Sequence, residues 1–136
     1  MSSVICEIVT PADLIFSEEV YSVSVPASEG EFGVLAQRAP IMSTLRDGEV
    51  RIRRTEGGEQ LNFAVSGGYV EADGRKVVVL TSRAADVSTL DAAEVRTAKA
   101  AAEKRLASFS EDDSQAAFHR DELAWYSLLE TLLARG

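Results

Sequence analysis

Eight of the nine glycines and all three prolines fall within the first 74 residues of this 136-residue chain, and the ninth glycine is its last residue. Glycine and proline punctuate turns and break helices. A chain punctuated at one end only has to fold as two unlike parts. The change of character falls near Asp86. Before it, short runs rich in Val, Ile, Phe and Tyr alternate with Gly, Pro and Asp turns, the spacing of an all-β sandwich or barrel. The predicted strands are 4–9, 13–17, 19–26, 33–35, 41–45, 48–54, 59–66, 68–72 and 76–82. Glu49, Arg51 and Arg53 alternate with Val50 and Ile52, a strand with one polar face. Ala72-Asp73-Gly74-Arg75 and Glu56-Gly57-Gly58-Glu59 read as hairpin turns.

From Ser88 the composition becomes helical, with Ala and Glu rising. Ser88-Thr89-Leu90-Asp91 fits a helix start with a hydroxyl cap and an acid suited to the dipole. A first helix to Ala107 carries Leu90, Val95, Ala98, Ala102 and Leu106 on one stripe. The polar segment 108–113 breaks it. A second helix, about 115–134, carries Phe118, Trp125, Leu128, Leu129 and Leu132. The two should pair as an antiparallel hairpin. The first is Ala-rich, so little apolar area is buried between them and the hairpin is weakly held on its own. The expected domains are 1–86 and 87–136.

Charge and composition narrow the function. The chain is 46% hydrophobic, enough for a core, and carries 22 acidic against 14 basic side chains, a net charge of −8. Nucleic-acid binding draws on clustered Lys and Arg, so that class is excluded. Acidity also disfavours anionic lipid. No run approaches the ~20 apolar residues of a membrane span, and the first residues lack the basic and apolar parts of a signal peptide. Membrane association would run through a partner. Cys6 is the only cysteine and reads as a small buried hydrophobe. His119 is the only histidine, which leaves no partner set for acid-base or metal chemistry and makes it a surface helix residue. Ser66 and Asp73 have no His to complete a triad. Ser66-Gly67-Gly68 lacks the Lys and helix of a phosphate loop and reads as a bend between strands. Arg51, Arg53 and Arg54 read as a solvated strand face between Glu49 and Glu56.

The segment 26–40 points to docking. Gly30 and Gly33 bracket Glu31 and Phe32 and permit tight turns that would hold an acid and an aromatic ring at a loop tip. Loop tips on rigid scaffolds carry binding residues.

Taken in order, these motifs are recognisable: Val9-Thr10-Pro11, Leu14-Ile15-Phe16-Ser17, Gly30-Glu31-Phe32-Gly33-Val34-Leu35, Ala39-Pro40, Gly48-Glu49-Val50-Arg51-Ile52, Val65-Ser66-Gly67-Gly68-Tyr69, Val77-Val78-Val79-Leu80 and the Leu90-Asp91 helix start. Over essentially its whole length the chain resembles the epsilon subunits of bacterial F-type ATP synthases, a pattern shared with chloroplast epsilon and mitochondrial delta subunits. The resemblance implies a flattened antiparallel β-sandwich of about ten strands followed by a C-terminal two-helix hairpin. It implies a non-catalytic rotor subunit of the central stalk, peripheral on the cytoplasmic face of the inner membrane, that links the gamma subunit to the c ring and couples proton flow to ATP synthesis. The hairpin would reach the catalytic alpha and beta subunits. By the same resemblance Glu29, Glu31 and Phe32 are expected toward the c ring, and Arg38 and Ser43 toward gamma. The alternative is an ATP-sensing module whose hairpin changes conformation on nucleotide binding, with Asp91 and Arg96 as candidate contacts. The family's ATP-binding pattern places an Arg where this chain has Glu94, which repels a triphosphate, so no cofactor is expected. The acidic second helix also weakens any inhibitory contact with an acidic partner.

Overall fold

The computed structural model describes residues 3–35, 40–111 and 113–135; the side chains of Glu31, Phe32, Val34 and Leu35 also lie outside the described set. The chain divides into two compact units, Met1–Ser88 and Thr89–Gly136.

The first unit is built of ten strands: β1 (Val4–Val9), β2 (Leu14–Val20), β3 (Ser22–Ala27), β4 (Gly30–Leu35), β5 (Ile41–Leu45), β6 (Gly48–Arg53), β7 (Gln60–Val65), β8 (Gly68–Ala72), β9 (Lys76–Leu80) and β10 (Ala84–Asp86). They run β10-β7-β6-β3-β5-β8-β9-β1-β2, with β4 on β3. Only one residue pair, Ala27 with Leu45, joins β3 to β5. The sheet folds over at that weak seam into two halves. Phe16 on β2 and Phe63 on β7, at opposite ends of the strand order, bring their rings to 5.2 Å. Between the halves lies a core of Val4, Cys6, Ile8, Val20, Val23, Val25, Val50, Ile52, Val65, Val70, Val77 and Val79, all below 2% exposed. Cys6 is part of that core, and burial pushes its thiol up to about 12.

The strands differ from the sequence reading in four places. Residues 19–26 are not one strand. Val20 and Val23 are both buried three residues apart, so the two-residue alternation slips at Tyr21. The chain turns a corner there, from β2 in one half to β3 in the other, and Arg53 O accepts from the Tyr21 amide at 2.8 Å. β10, three residues long, was missed because half-buried Ala84-Ala85-Asp86 has no alternation to detect. The sheet is not wholly antiparallel: β1 and β9 pair in parallel from Ile5–Lys76 to Val9–Leu80. The fourth difference is the 26–40 segment. Gly30 has φ 136, but Glu31 and Phe32 lie in β4, paired with Pro26 and Val25. The turn is the two-residue Ser28-Glu29 between Ala27 and Gly30.

The three arginines near the end of β6 are occupied. Arg51 meets Glu49 at 3.0 Å. Arg53 donates to Gly58 O at 2.6 Å. Arg54 grips Glu18 through two bonds of 2.6 and 2.7 Å, which holds the Glu18 carboxyl below its ordinary range.

The second unit is α1 (Ala92–Ala107) and α2 (Ser114–Arg135). The N-cap of α1 is Asp91, not Ser88 or Thr89: its carboxylate accepts from the Ala93 and Glu94 amides. Ser88 and Thr89 belong to a 3-10 turn, Val87–Thr89, and Ser88 donates instead to Asp86. A carboxylate two residues closer to the free amides wins the cap. Asp91→Ala should therefore cost about 1 kcal/mol and Asp91→Asn much less, because an amide oxygen caps almost as well. Urea unfolding of the full chain measures both; equal losses would show that charge, not capping, is what Asp91 contributes.

The helices run antiparallel. Lys99 meets Glu130 at 2.7 Å and Arg105 meets Glu122 at 3.4 Å, numbers rising on one helix as they fall on the other. Val95, Ala102, Ala116, Leu129 and Leu132 are buried between them. Phe118 does not join this stripe. It is 56% exposed although its spacing matches that of buried Leu129 and Leu132, and it stands near the start of α2.

Candidate docking surface

Strand β9, Lys-Val-Val-Val-Leu, is apolar on both faces. Val77 and Val79 enter the core, so Val78 and Leu80 must point outward. Pairing extends that outward face. Tyr69 lies beside Leu80, Leu80 beside Val9, and Val9 beside Leu14, where the register slips by one residue at Ile15. The result is an unbroken apolar row across β8, β9, β1 and β2. Tyr69, Leu80 and Leu14 are 55%, 45% and 53% exposed. Two residues further along the strands, Met42, Glu71, Val78 and Glu7 form the next row, and Lys76 and Ile5 the one after. The six exposed large apolar side chains in the described part of this unit, Ile5, Leu14, Ile41, Met42, Tyr69 and Leu80, all sit on β1, β2, β5, β8 and β9, as does half-buried Val78. Contiguous exposed apolar area is uncommon on a closed domain and marks an interaction site.

Charge frames the surface. Lys76 pairs with Glu7 at 3.1 Å, and Glu71 stands exposed beside Met42. A groove of about 430 Å³ opens between Met42, Val78 and Lys76, with Glu71 and Asp73 at its rim. Asp73 accepts from the amides of Arg75 and Lys76, and these bonds lower its carboxyl below the usual range.

The residues singled out from the sequence fall elsewhere. Glu29 is exposed in the β3–β4 turn. Glu31 and Phe32 follow in β4, with side chains outside the described set, and Arg38 lies outside the described residues altogether. Ser43 pairs with buried Val70, on the opposite side of β5 from Met42, and donates to Thr44 O at 3.1 Å. Asp91 is the helix cap; Glu94 and Arg96 are exposed on α1. Trp125 is half-buried in the hairpin. His119 is no free surface residue: 14% of its side chain is exposed, its ring stacks on Phe109 at 5.3 Å, and Nδ1 lies 2.8 Å from Glu122. Sequence reasoning missed the Tyr69–Leu80–Val9–Leu14 row, although the uninterrupted run 77–80 carried its signal. Among the described residues no group of three or more metal-ligating side chains gathers, and no helix is long and apolar enough to cross a membrane.

The fold is thus a ten-stranded β-sandwich joined to a helical hairpin, with one broad face of the sandwich left apolar and open. Residues 3–87 match the family described as the ATP synthase delta/epsilon chain, beta-sandwich domain. The ATP synthase epsilon chain of Desulforamulus reducens is 35% identical over 128 residues, covering 94% of this chain and 93% of that one. This protein belongs to the ATP synthase epsilon chain family. The fold recurs in a chain of the Euglena gracilis mitochondrial ATP synthase (OSCP/F1/c-ring, rotational state 1), at TM-score 0.73 and 23% identity, covering 96% of this chain and 81% of that one. It recurs again in the central stalk/c-ring of the Tetrahymena thermophila enzyme, at TM-score 0.57 and 12% identity over 96% of each chain.

Proposed function

We propose that this chain is a non-catalytic rotor subunit of a proton-translocating F-type ATP synthase, joining gamma to the c ring and coupling proton flow to ATP synthesis. One observation carries the reading: a sandwich with a filled core leaves the Tyr69–Leu80–Val9–Leu14 row open to solvent. A coupling subunit needs a stiff body and a large contact that does not slip under torque. The closed sandwich supplies the first and this face the second, with gamma as its occupant. The Ser28-Glu29 turn and adjoining Glu31 meet the c ring at the end of the β3–β4 hairpin, and the chain is peripheral to the membrane through that contact. Arg38, outside the described residues, and Ser43, on the far side of β5 from Met42, are kept as further gamma contacts. Membership of the family and the presence of relatives of this fold in central-stalk and c-ring assemblies support the assignment.

The ATP-sensing alternative is weaker. Asp91 has its Oδ1 committed to two backbone amides, and Glu94 places a negative charge on the first turn of α1.

Tagged chain purified from membranes should bring gamma, c, alpha and beta with it; recovery of the tagged chain alone would remove the assignment. In the assembled enzyme, Glu31→Lys should lower protons pumped per ATP hydrolysed severalfold. Glu56→Lys, an equal charge change in the exposed β6–β7 turn, should not. Equal effects would take the β3–β4 hairpin out of the c-ring contact.

A further inference from the structure

Across β8, β9 and β1 the outward face holds two acids and one base: Glu71, Glu7 and Lys76. Glu7 is provided for. Lys76 meets it at 3.1 Å and Ser17 donates to it at 3.4 Å. Asp73, in the β8–β9 turn, accepts from the Arg75 and Lys76 amides, each at 2.9 Å, and the nearby Arg75 charge also favours its ionised form. Glu71 has nothing of the kind. It stands exposed between Met42 and Val78, and among the described residues no cation or hydrogen-bond donor meets its side chain. One carboxylate is thus left over within an apolar face, at the rim of the groove of about 430 Å³ that Ile41, Met42 and Val78 line.

In the free chain water solvates that carboxylate. Under a partner it loses the water, and an acid desolvated without a cation to receive it opposes docking strongly. We infer that gamma meets Glu71 with a basic side chain, Lys or Arg, whose apolar stem lies in the groove along Met42 and Val78 and whose charge pairs with the carboxylate. This rests on the reading that gamma covers this face. The groove suits such a side chain, with apolar walls for the stem and acids at the rim for the head. Lys76 cannot serve instead, because it is committed to Glu7. A wholly apolar or an acidic segment of gamma would leave Glu71 unmatched. The pair also sets register. The apolar rows supply contact area but would tolerate sliding, whereas a shift of one residue pair along the strands would bury the carboxylate away from its cation.

Calorimetric titration of the full chain against purified gamma tests this. Glu71→Gln keeps the shape of the side chain and removes its charge. It should weaken binding about tenfold or more, the loss expected when one member of a desolvated charge pair is truncated. Glu56→Gln, the same change in the exposed β6–β7 turn, should leave affinity within about twofold. A Glu71→Gln chain that binds as tightly as the parent, or more tightly, overturns the inference, since removing an unmatched acid helps docking. The chain's own Arg38, two residues before Pro40 at the groove's end, is the rival cation. If the Glu71→Gln loss vanishes in an Arg38→Gln background, the charge comes from this chain and the inference falls. Glu71 is exposed, so its substitution opens no core cavity, and circular dichroism checks the fold of each variant. The chain carrying both Tyr69→Glu and Leu80→Glu separates this inference from the reading beneath it. If that chain binds gamma as tightly as the parent, gamma is not on the face and both fall. If it binds weakly while Glu71→Gln does not, only the cation is refuted.

Discussion

Gly68→Ala is expected to cost about 4 kcal/mol or more, enough to unfold a domain of ordinary stability. Two effects add at this position. Its φ of +109° is a conformation that residues with a Cβ rarely adopt. A Cβ built there would also lie 1.8 Å from the Leu80 carbonyl oxygen and 2.9 Å from Thr81 Cα, and both are backbone atoms that cannot swing aside. The strand has no room to retreat, because β8 is bonded on its other side to β5, with Gly68 opposite Leu45. The turn that delivers Gly68 is fixed as well: the Ser66 amide donates to Thr81 Oγ1 and to Arg83 O, both at 3.0 Å. Gly57 separates the two effects. Its φ is +70° but a Cβ there meets nothing within 4 Å, so Gly57→Ala should cost only about 1 kcal/mol of backbone strain. Urea denaturation of both variants gives the comparison. Similar losses would mean that the approach to Leu80 is not what requires glycine at 68.

This position also shows what a single sequence can convey. Ser66-Gly67-Gly68 was legible as a bend, since paired glycines between two apolar runs have few other uses. Which backbone presses on the second glycine is a long-range fact and left no local trace. The corner at Tyr21 failed for a related reason. Tyr21-Ser22-Val23-Ser24-Val25 alternates well enough by itself, and only the burial of Val20 and Val23 together exposes the slip. The short β10 carries no periodic signal at all. The helices were legible apart from the first residues and the cap of α1, because a 3.6-residue period and a polar break agree. The misplaced member, Phe118, has the right spacing and yet is 56% exposed, because periodicity gives a face and not how far along the helix that face is covered. The candidate surface was the hardest part to read. Attention went to the conspicuous Gly-bracketed segment 30–33, which proved to be strand. The larger apolar face is assembled from single side chains on four strands, and the register that aligns them, including the parallel β1–β9 pairing, exists only in three dimensions.

That face gives the other large effect. Tyr69→Glu combined with Leu80→Glu should weaken binding to gamma by a hundredfold or more while leaving the isolated chain folded. Both side chains point outward and are about half exposed, so neither substitution opens a core cavity, and each should change the chain's own stability by about 0.5 kcal/mol. Binding behaves differently. Each residue gives up apolar contact area, and each new carboxylate must be desolvated if the partner surface matches the apolar row it covers. An uncompensated buried charge costs about 3 kcal/mol or more, and every 1.4 kcal/mol is tenfold in affinity. The acids already framing the face, Glu7 and Glu71, add to the repulsion, and Lys76 is committed to Glu7. Calorimetric titration against purified gamma, with circular dichroism to confirm the fold, measures the difference. A folded double variant that binds gamma as tightly as the parent chain would move the contact off this face, and the open row across β8, β9, β1 and β2 would need another occupant.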